Sequence, residues 1–344
     1  MHISRAWLQT FFEQPLPEVE ALSDALTFHA FEIDGVEKVG GDDVLDVKIT
    51  PNRGHDCLSH LGVARELSAI LKIPLKNDPF ISRFNLDMKE GSSEKLPVSV
   101  RIDTPLCRRY IAGYMTGVKV GPSPEWLRAR LESLGQRSIN NVVDATNYVM
   151  FTLGQPLHAF DAVKLEKKDG VVSVSVRAAR ASERLLALDE KEYTLDESMV
   201  VIADAHKDVA IGIAGVKGGM PAGITEATTD IVLESANFEG VSVRKTAAAL
   251  KLRTDASQRF EQQLSPELAG WGMQEVVRLI ADIAGGTLEG FVDVYPSPQK
   301  QTYVSVTVEK INQLLGTQNT GADVADVFTR LGFPYKEQEG VFEV

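Results

Sequence analysis

"NNVVDATNYVMFTLGQPLHAFD", residues 140–161, holds three features close together. Asp144, Thr146 and Asn147 lead into an apolar run, Gly154-Gln155-Pro156 interrupts it, and a lone His158 precedes Asp161. Glycine supplies turn backbone and proline cannot continue a helix, so the run ends there and a new element begins. A lone histidine in such a stretch is more often structural than catalytic. A hydrolytic triad built on His158 and Asp161 lacks its nucleophile, because no serine lies in a G-x-S-x-G elbow.

Outward from this stretch the chain reads as a series of short strands. "VSVRID" and "RRYIAGYMTGVKV" precede it, with a helix from Ser123-Pro124-Glu125 to about Leu134 between, in which Ser123 is expected as the cap. "VVSVSVRAA", "ERLLALDEKEYTL", "MVVIADA", "VAIGIAGVKGG" and "DIVLESANF" follow it, and helices return near 239–250 and 264–284. Towards the N-terminus, residues 5–13 and 17–28 read as helices and VLDVKIT (44–50) as a half-buried strand. A turn at Pro51-Asn52-Arg53-Gly54 leads to a helix that Asp56 should cap. "DMKEGSSEKL" (87–96) and "YPSPQKQ" (295–301) read as linkers. The final segment reads as two short helices and the start of a hairpin, its last strand unpartnered.

The expected class is thus α+β and multidomain, which 344 residues allow. A small α/β unit (1–86) precedes a large mixed sheet-and-helix domain (97–295) and a partial C-terminal domain (302–344). With 44% hydrophobic and 24% charged residues and no long apolar run, no membrane partner is expected, and without a secretory signal a cytoplasmic location is expected. A net charge of −12 argues against nonspecific nucleic-acid binding over the whole surface. Local basic groups remain, at Arg128, Arg130 and Arg137 and between Arg244 and Arg259. Cys57 and Cys107 are too few for a disulfide framework, and His55, Cys57 and His60 match no zinc spacing, so no metal site is expected. "GIAGVKGG" (212–219) lacks the GK[ST] of a P-loop; its small residues suit close approach of a ligand or another segment. Glu234, after Ile231-Val232-Leu233, belongs at the mouth of a buried sheet. There it either pairs with a cation or accepts a hydrogen bond from a ligand.

Taken together, "VLDVKITPNRGHDCLSHLGVARELSAI", "SPEWLRARLESLGQRSINNVVDATNYVMFTLGQPLHAFD", "GIAGVKGG", "IVLESANF" and "SVRKTAAALKLRTDASQRFE" resemble, in order, the β subunit of bacterial phenylalanyl-tRNA synthetase. The departures are specific. "IDGVEKVGGDDVLDVKIT" runs through without the family's usual oligonucleotide-binding insertion, Lys217 stands where methionine is usual, and Glu190 where a turn glycine is common. The resemblance implies that 97–295 is the family's tRNA-editing (B3/B4-like) domain, and 302–344 the start of a helical, DNA-binding-like (B5-like) domain cut short.

The implied activity is hydrolysis of tyrosine wrongly attached to the phenylalanine tRNA. Such a step is needed because an apolar pocket cannot strongly reject an isostere with one extra hydroxyl. By resemblance Glu234 accepts the tyrosine phenol, and Ala214, Gly215, Gly218 and Ala256 form a wall without bulk. Thr146, Asn147, Pro156, His158 and Thr254 line the ester end, and Ala159 belongs to the substrate-binding set. His158, Asn147 and Thr254 are the candidate catalytic residues, acting on a positioned water. The implied partners are phenylalanine tRNA and, in the complete enzyme, the α subunit. No cofactor is expected in this part, magnesium and ATP being expected only for the complete enzyme, which phenylalanylates tRNA. A noncatalytic scaffold that binds tRNA or the α subunit is the alternative.

Overall fold

The N-terminal unit is organised by a three-stranded antiparallel sheet and the apolar helix faces laid against it. The computed structural model describes residues 1–76 and 96–344, so the linker expected at 87–96 lies, Leu96 apart, outside the described residues. In chain order come β1 (His2–Ser4), α1 (Arg5–Gln9), α2 (Val19–His29), β2 (Ile33–Val39) and β3 (Asp42–Val47), with sheet order β1-β3-β2. Gly40 and Gly41, both at positive φ, turn β2 directly into β3. A 3-10 turn at Pro51–Arg53 leads to α3 (Gly54–Cys57) and α4 (His60–Leu71). One continuous helix capped by Asp56 is therefore corrected to two. Ser59 caps α4 by accepting the Gly62 N–H at 3.0 Å, while Asp56 pairs with Arg53 at 2.7 Å.

The central part continues with β4 (Val98–Ile102), β5 (Cys107–Thr116), α5 (Glu125–Ser133), α6 (Asn141–Leu153), β6 (Leu157–Asp161), β7 (Lys167–Lys168) and β8 (Val171–Ala178). Next come β9 (Glu183–Leu186), β10 (Glu192–Leu195), β11 (Val200–Asp204), β12 (Val209–Ile213), β13 (Lys217–Gly218) and β14 (Ile231–Phe238). It closes with α7 (Gly240–Ala249), α8 (Asp255–Phe260), α9 (Leu268–Ala284) and β15 (Thr287–Val294). One sheet runs β13-β12-β11-β8-β4 with β7 alongside β8; a second runs β15-β5-β14-β6. The architecture is α+β, with mixed sheets and helices.

β14 explains how these layers meet, because all eight of its residues are buried. Val232, Ala236 and Phe238 join the core shared with the first sheet, while Ile231 and Leu233 face α6 and α9. A strand buried on both faces reads as a nearly continuous apolar run, which makes Glu234 in its middle conspicuous.

Two local expectations are corrected. Ser123 does not cap α5: Pro124 holds the cap position, and the Ser123 hydroxyl donates to Asp144 at 2.6 Å. The last strand is not unpartnered. After β16 (Ser305–Thr307), α10 (Val308–Leu315), α11 (Gly321–Arg330) and β17 (Lys336–Gln338), β18 (Val341–Glu343) lies centrally in the order β16-β18-β17. Tyr295–Gln301 forms neither helix nor strand. Among the described residues no helix is long and apolar enough to cross a membrane.

His60 joins the N-terminal unit to the centre. Its ring is fully buried and stacks on Trp7 at 4.1 Å, and Trp7 stacks in turn on Tyr148 of α6 at 4.6 Å. Nε2 accepts the Ser4 N–H at 3.1 Å, which leaves Nδ1–H to donate to the Phe151 carbonyl at 3.0 Å. A metal role is closed to it, since both nitrogens are engaged. Burial pushes its pKa down to about 3, so the folded chain holds it neutral while the unfolded chain protonates it near 6.5. Its contribution is complete above pH 6.5 and is lost as pH falls towards 3. His60→Ala should lower the unfolding free energy by about 2–4 kcal/mol in urea at neutral pH, by losing the stack and orphaning Ser4 N–H and the Phe151 carbonyl. It should also flatten the fall in stability between pH 6.5 and 3; an unflattened fall would contradict the assignment.

Candidate active site

Strand register brings the distant sequence positions together. β14 lies between β5 and β6, with Glu234 directly opposite His158 on one side and Ala112 on the other. Directly opposed residues share a face, so the carboxylate and the imidazole project side by side. Ala112 leaves space on the β5 side. Tyr110, diagonal to Glu234, fills it and donates its hydroxyl to Oε2 at 2.8 Å.

Glu234 and His158 border a cavity of about 460 Å³. One stripe of α6, with Val143, Thr146, Asn147 and Met150 at helical spacing, forms one wall. Asn140 caps this helix by accepting the Val142 and Val143 N–H groups. Gly154 ends it at φ +88°, left-handed backbone that glycine adopts without strain, and so sends the chain into β6. Pro156, His158 and Ala159 border the cavity from there, the Ala159 side chain packing in the core shared with the helices. Gly215 and Gly218 border it from the β12–β13 turn, and Thr254 and Ala256 from the start of α8. Ala214 is the exception: it is buried in the core between the sheets and is not part of the wall.

Small residues here are required by close approach. A Cβ on Gly218 would lie 2.4 Å from His158 Cε1, so the glycine backbone packs flush on the imidazole. Gly215, at φ +70°, is hemmed in by Phe238, Val243 and Phe260. Glu190, at φ +62° in the β9–β10 hairpin, adopts backbone that a glycine would hold without strain.

The polar groups differ in what they have left to offer. Thr254 accepts the Ser257 N–H and donates its only proton to the Val216 carbonyl at 2.9 Å, so its assignment as a catalytic donor is corrected to a helix cap in the wall. Thr146 likewise donates to the Val143 carbonyl at 2.6 Å. Asn147 is half-buried, and its amide has no hydrogen-bond partner among the described residues. His158 packs edge-on against Phe160 at 4.6 Å, with Nε2 buried and without a hydrogen-bond partner among the described residues. Asp144 is structural, accepting from Ser123, Ser138 and the Ile139 N–H.

Burial governs the charge state of the pair. Desolvation raises the Glu234 carboxyl to about 7, against the opposing effect of the Tyr110 hydrogen bond, and lowers His158 to about 4. At neutral pH the imidazole is uncharged and the carboxyl lies near its midpoint. Tyr110 was not among the residues singled out in the sequence; its only signal there was an aromatic within the strand run "RRYIAGYM".

Residues 106–285 match the model of the B3/4 domain. The chain belongs to the B3/4 domain family. Of its curated relatives, the phenylalanine–tRNA ligase beta subunit of Rhodopirellula baltica is 40% identical over 96% of this chain and 47% of its own length. Those of Dehalococcoides mccartyi strain CBDB1 and Syntrophus aciditrophicus are 42% and 41% identical over 85% and 88% of this chain, and over 35% and 36% of their own lengths. The chain thus spans half or less of the relatives it matches. A solved N-terminal fragment of the phenylalanyl-tRNA synthetase beta subunit from Pyrococcus horikoshii has a TM-score of 0.49 at 14% identity, covering 100% of this chain and 92% of its own, a likeness too weak to argue from. The cavity lies within the B3/4 domain.

Gly218→Ala should displace the His158 ring from its contact with Phe160. An unchanged His158 imidazole resonance in the NMR spectrum of the variant would contradict this packing.

Proposed function

We propose that this cavity is the editing site of a phenylalanine–tRNA ligase beta subunit, hydrolysing tyrosine wrongly esterified to the phenylalanine tRNA. The observation that carries the reading is a carboxylate buried on a sheet face, with Tyr110 its one hydrogen-bond partner among the described residues, bordering a cavity that is otherwise largely apolar. An aromatic side chain with a phenol suits such a cavity, because its hydroxyl gives Glu234 a second donor. Phenylalanine would leave the buried carboxylate without that partner, at a cost of about 1–3 kcal/mol, or roughly 5- to 150-fold in selectivity.

At the ester end, the Asn147 amide can donate to the carbonyl oxygen, and neutral His158 can orient a water. The water oxygen bonds to the carbonyl carbon, the bond to the ribose oxygen breaks, and that oxygen takes up a proton as the free hydroxyl re-forms. With a pKa of about 4, His158 is a weak base, so positioning rather than strong proton abstraction is its role. The chain binds the aminoacylated end of the tRNA on this reading. The complete enzyme, with its α subunit, magnesium and ATP, would perform phenylalanylation elsewhere.

The test is hydrolysis of tyrosyl- and phenylalanyl-tRNA by the chain. Tyrosine should be released faster, and Ala256→Trp should suppress that release at least tenfold by filling the cavity. Release of neither amino acid above the spontaneous rate would favour a noncatalytic scaffold. Discrimination should rise as pH increases through about 7, because the ionised carboxylate accepts from the phenol and is poorly left unpaired. Glu234→Gln should reduce the preference and remove its pH dependence.

A further inference from the structure

Tyr110 is fully buried in the centre of β5, where a phenylalanine would bury the same ring without an O–H to satisfy. The hydroxyl has one hydrogen-bond partner among the described residues, Glu234 Oε2 at 2.8 Å. Oε1 makes no hydrogen bond among the described residues, and Glu234 borders the cavity. We propose that Tyr110 is a positioning residue of this site: its phenol holds one oxygen of Glu234, leaving the other to the cavity as acceptor for a substrate phenol. The carboxylate would then receive two phenols, one from the protein and one from the ligand. This inference rests on the editing reading and assigns a residue to its specificity.

The chemistry requires a donor that keeps its proton. Burial and the neighbouring carboxylate push the Tyr110 pKa well above its ordinary value, so the hydroxyl remains protonated throughout the working range. A neutral donor also leaves the site uncharged when the carboxyl is protonated, whereas a cation would hold the carboxylate ionised even with phenylalanine bound. The groups around Glu234 fit this. Tyr110 and Cys107 approach from β5, His158 from β6, and Lys217 and Asp255 border the cavity. No Lys or Arg among the described residues forms an ion pair with the carboxylate.

Tyr110→Phe in the whole chain tests this. The variant should keep the thermal midpoint within a few degrees of wild type. Its preference for tyrosyl- over phenylalanyl-tRNA in kcat/KM should fall about fivefold or more, the weight of one net hydrogen bond. The loss should lie mainly in KM for the tyrosyl ester, and the pH midpoint of discrimination should move upward. Infrared titration of the Glu234 carboxyl, identified by its disappearance in Glu234→Gln, should move upward with it, and this readout does not depend on turnover. An unchanged preference or carboxyl midpoint in Tyr110→Phe would overturn the role of Tyr110 while leaving the editing reading intact. A wild-type chain that fails to prefer tyrosine would overturn both.

Discussion

The site depends on one constraint, the pairing of β14 between β5 and β6. Antiparallel register fixes which side chains share a face, so placing Glu234 opposite both Ala112 and His158 determines the space, the hydrogen-bond partner and the neighbouring base at once. A one-residue slip would turn Glu234 into the helix-facing core. Burial on both faces opposes this, because the slip would also expose the apolar residues around Glu234 to the wrong layer.

Around that strand, rigidity comes from polar groups fully engaged by their own neighbours. Asp144 ties together the segment before α6, Thr254 fastens the start of α8 to Val216, and His60 locks the N-terminal unit to Phe151. Because these groups are satisfied, they hold the walls and offer little to a ligand. Among the cavity-lining groups of the described residues, one oxygen of Glu234, the Asn147 amide and His158 Nε2 carry no hydrogen bond from the protein.

Much of this was legible in residues 140–161 and 231–238. The Gly154 break, the two elements flanking it and the buried strand carrying a carboxylate follow from local backbone chemistry. What was not legible depended on partners distant in sequence. Ser123 has the chemistry of a cap, and only the fold reveals that Pro124 takes the cap position while the Ser123 hydroxyl donates to Asp144. Thr254 gives its proton to Val216, and Ala214 is buried in the core between the sheets while Ile213 and Gly215 on either side of it border the cavity. Tyr110 carries no local sign, because its partner lies 124 positions away. The final strand seemed alone because β16 returns to it from beyond two helices.

On the editing proposal, Glu234 reads the phenol while Asn147 and His158 hold the ester. The most direct measurement is a crystal structure of the chain with an amide-linked, nonhydrolysable tyrosyl analogue of the tRNA's terminal adenosine. The tyrosine ring should lie inside the B3/4 cavity, with its hydroxyl within hydrogen-bonding distance of Glu234 and the amide carbonyl beside Asn147. A ring bound outside the cavity, or reversed so that the phenol meets Asn147, would contradict it.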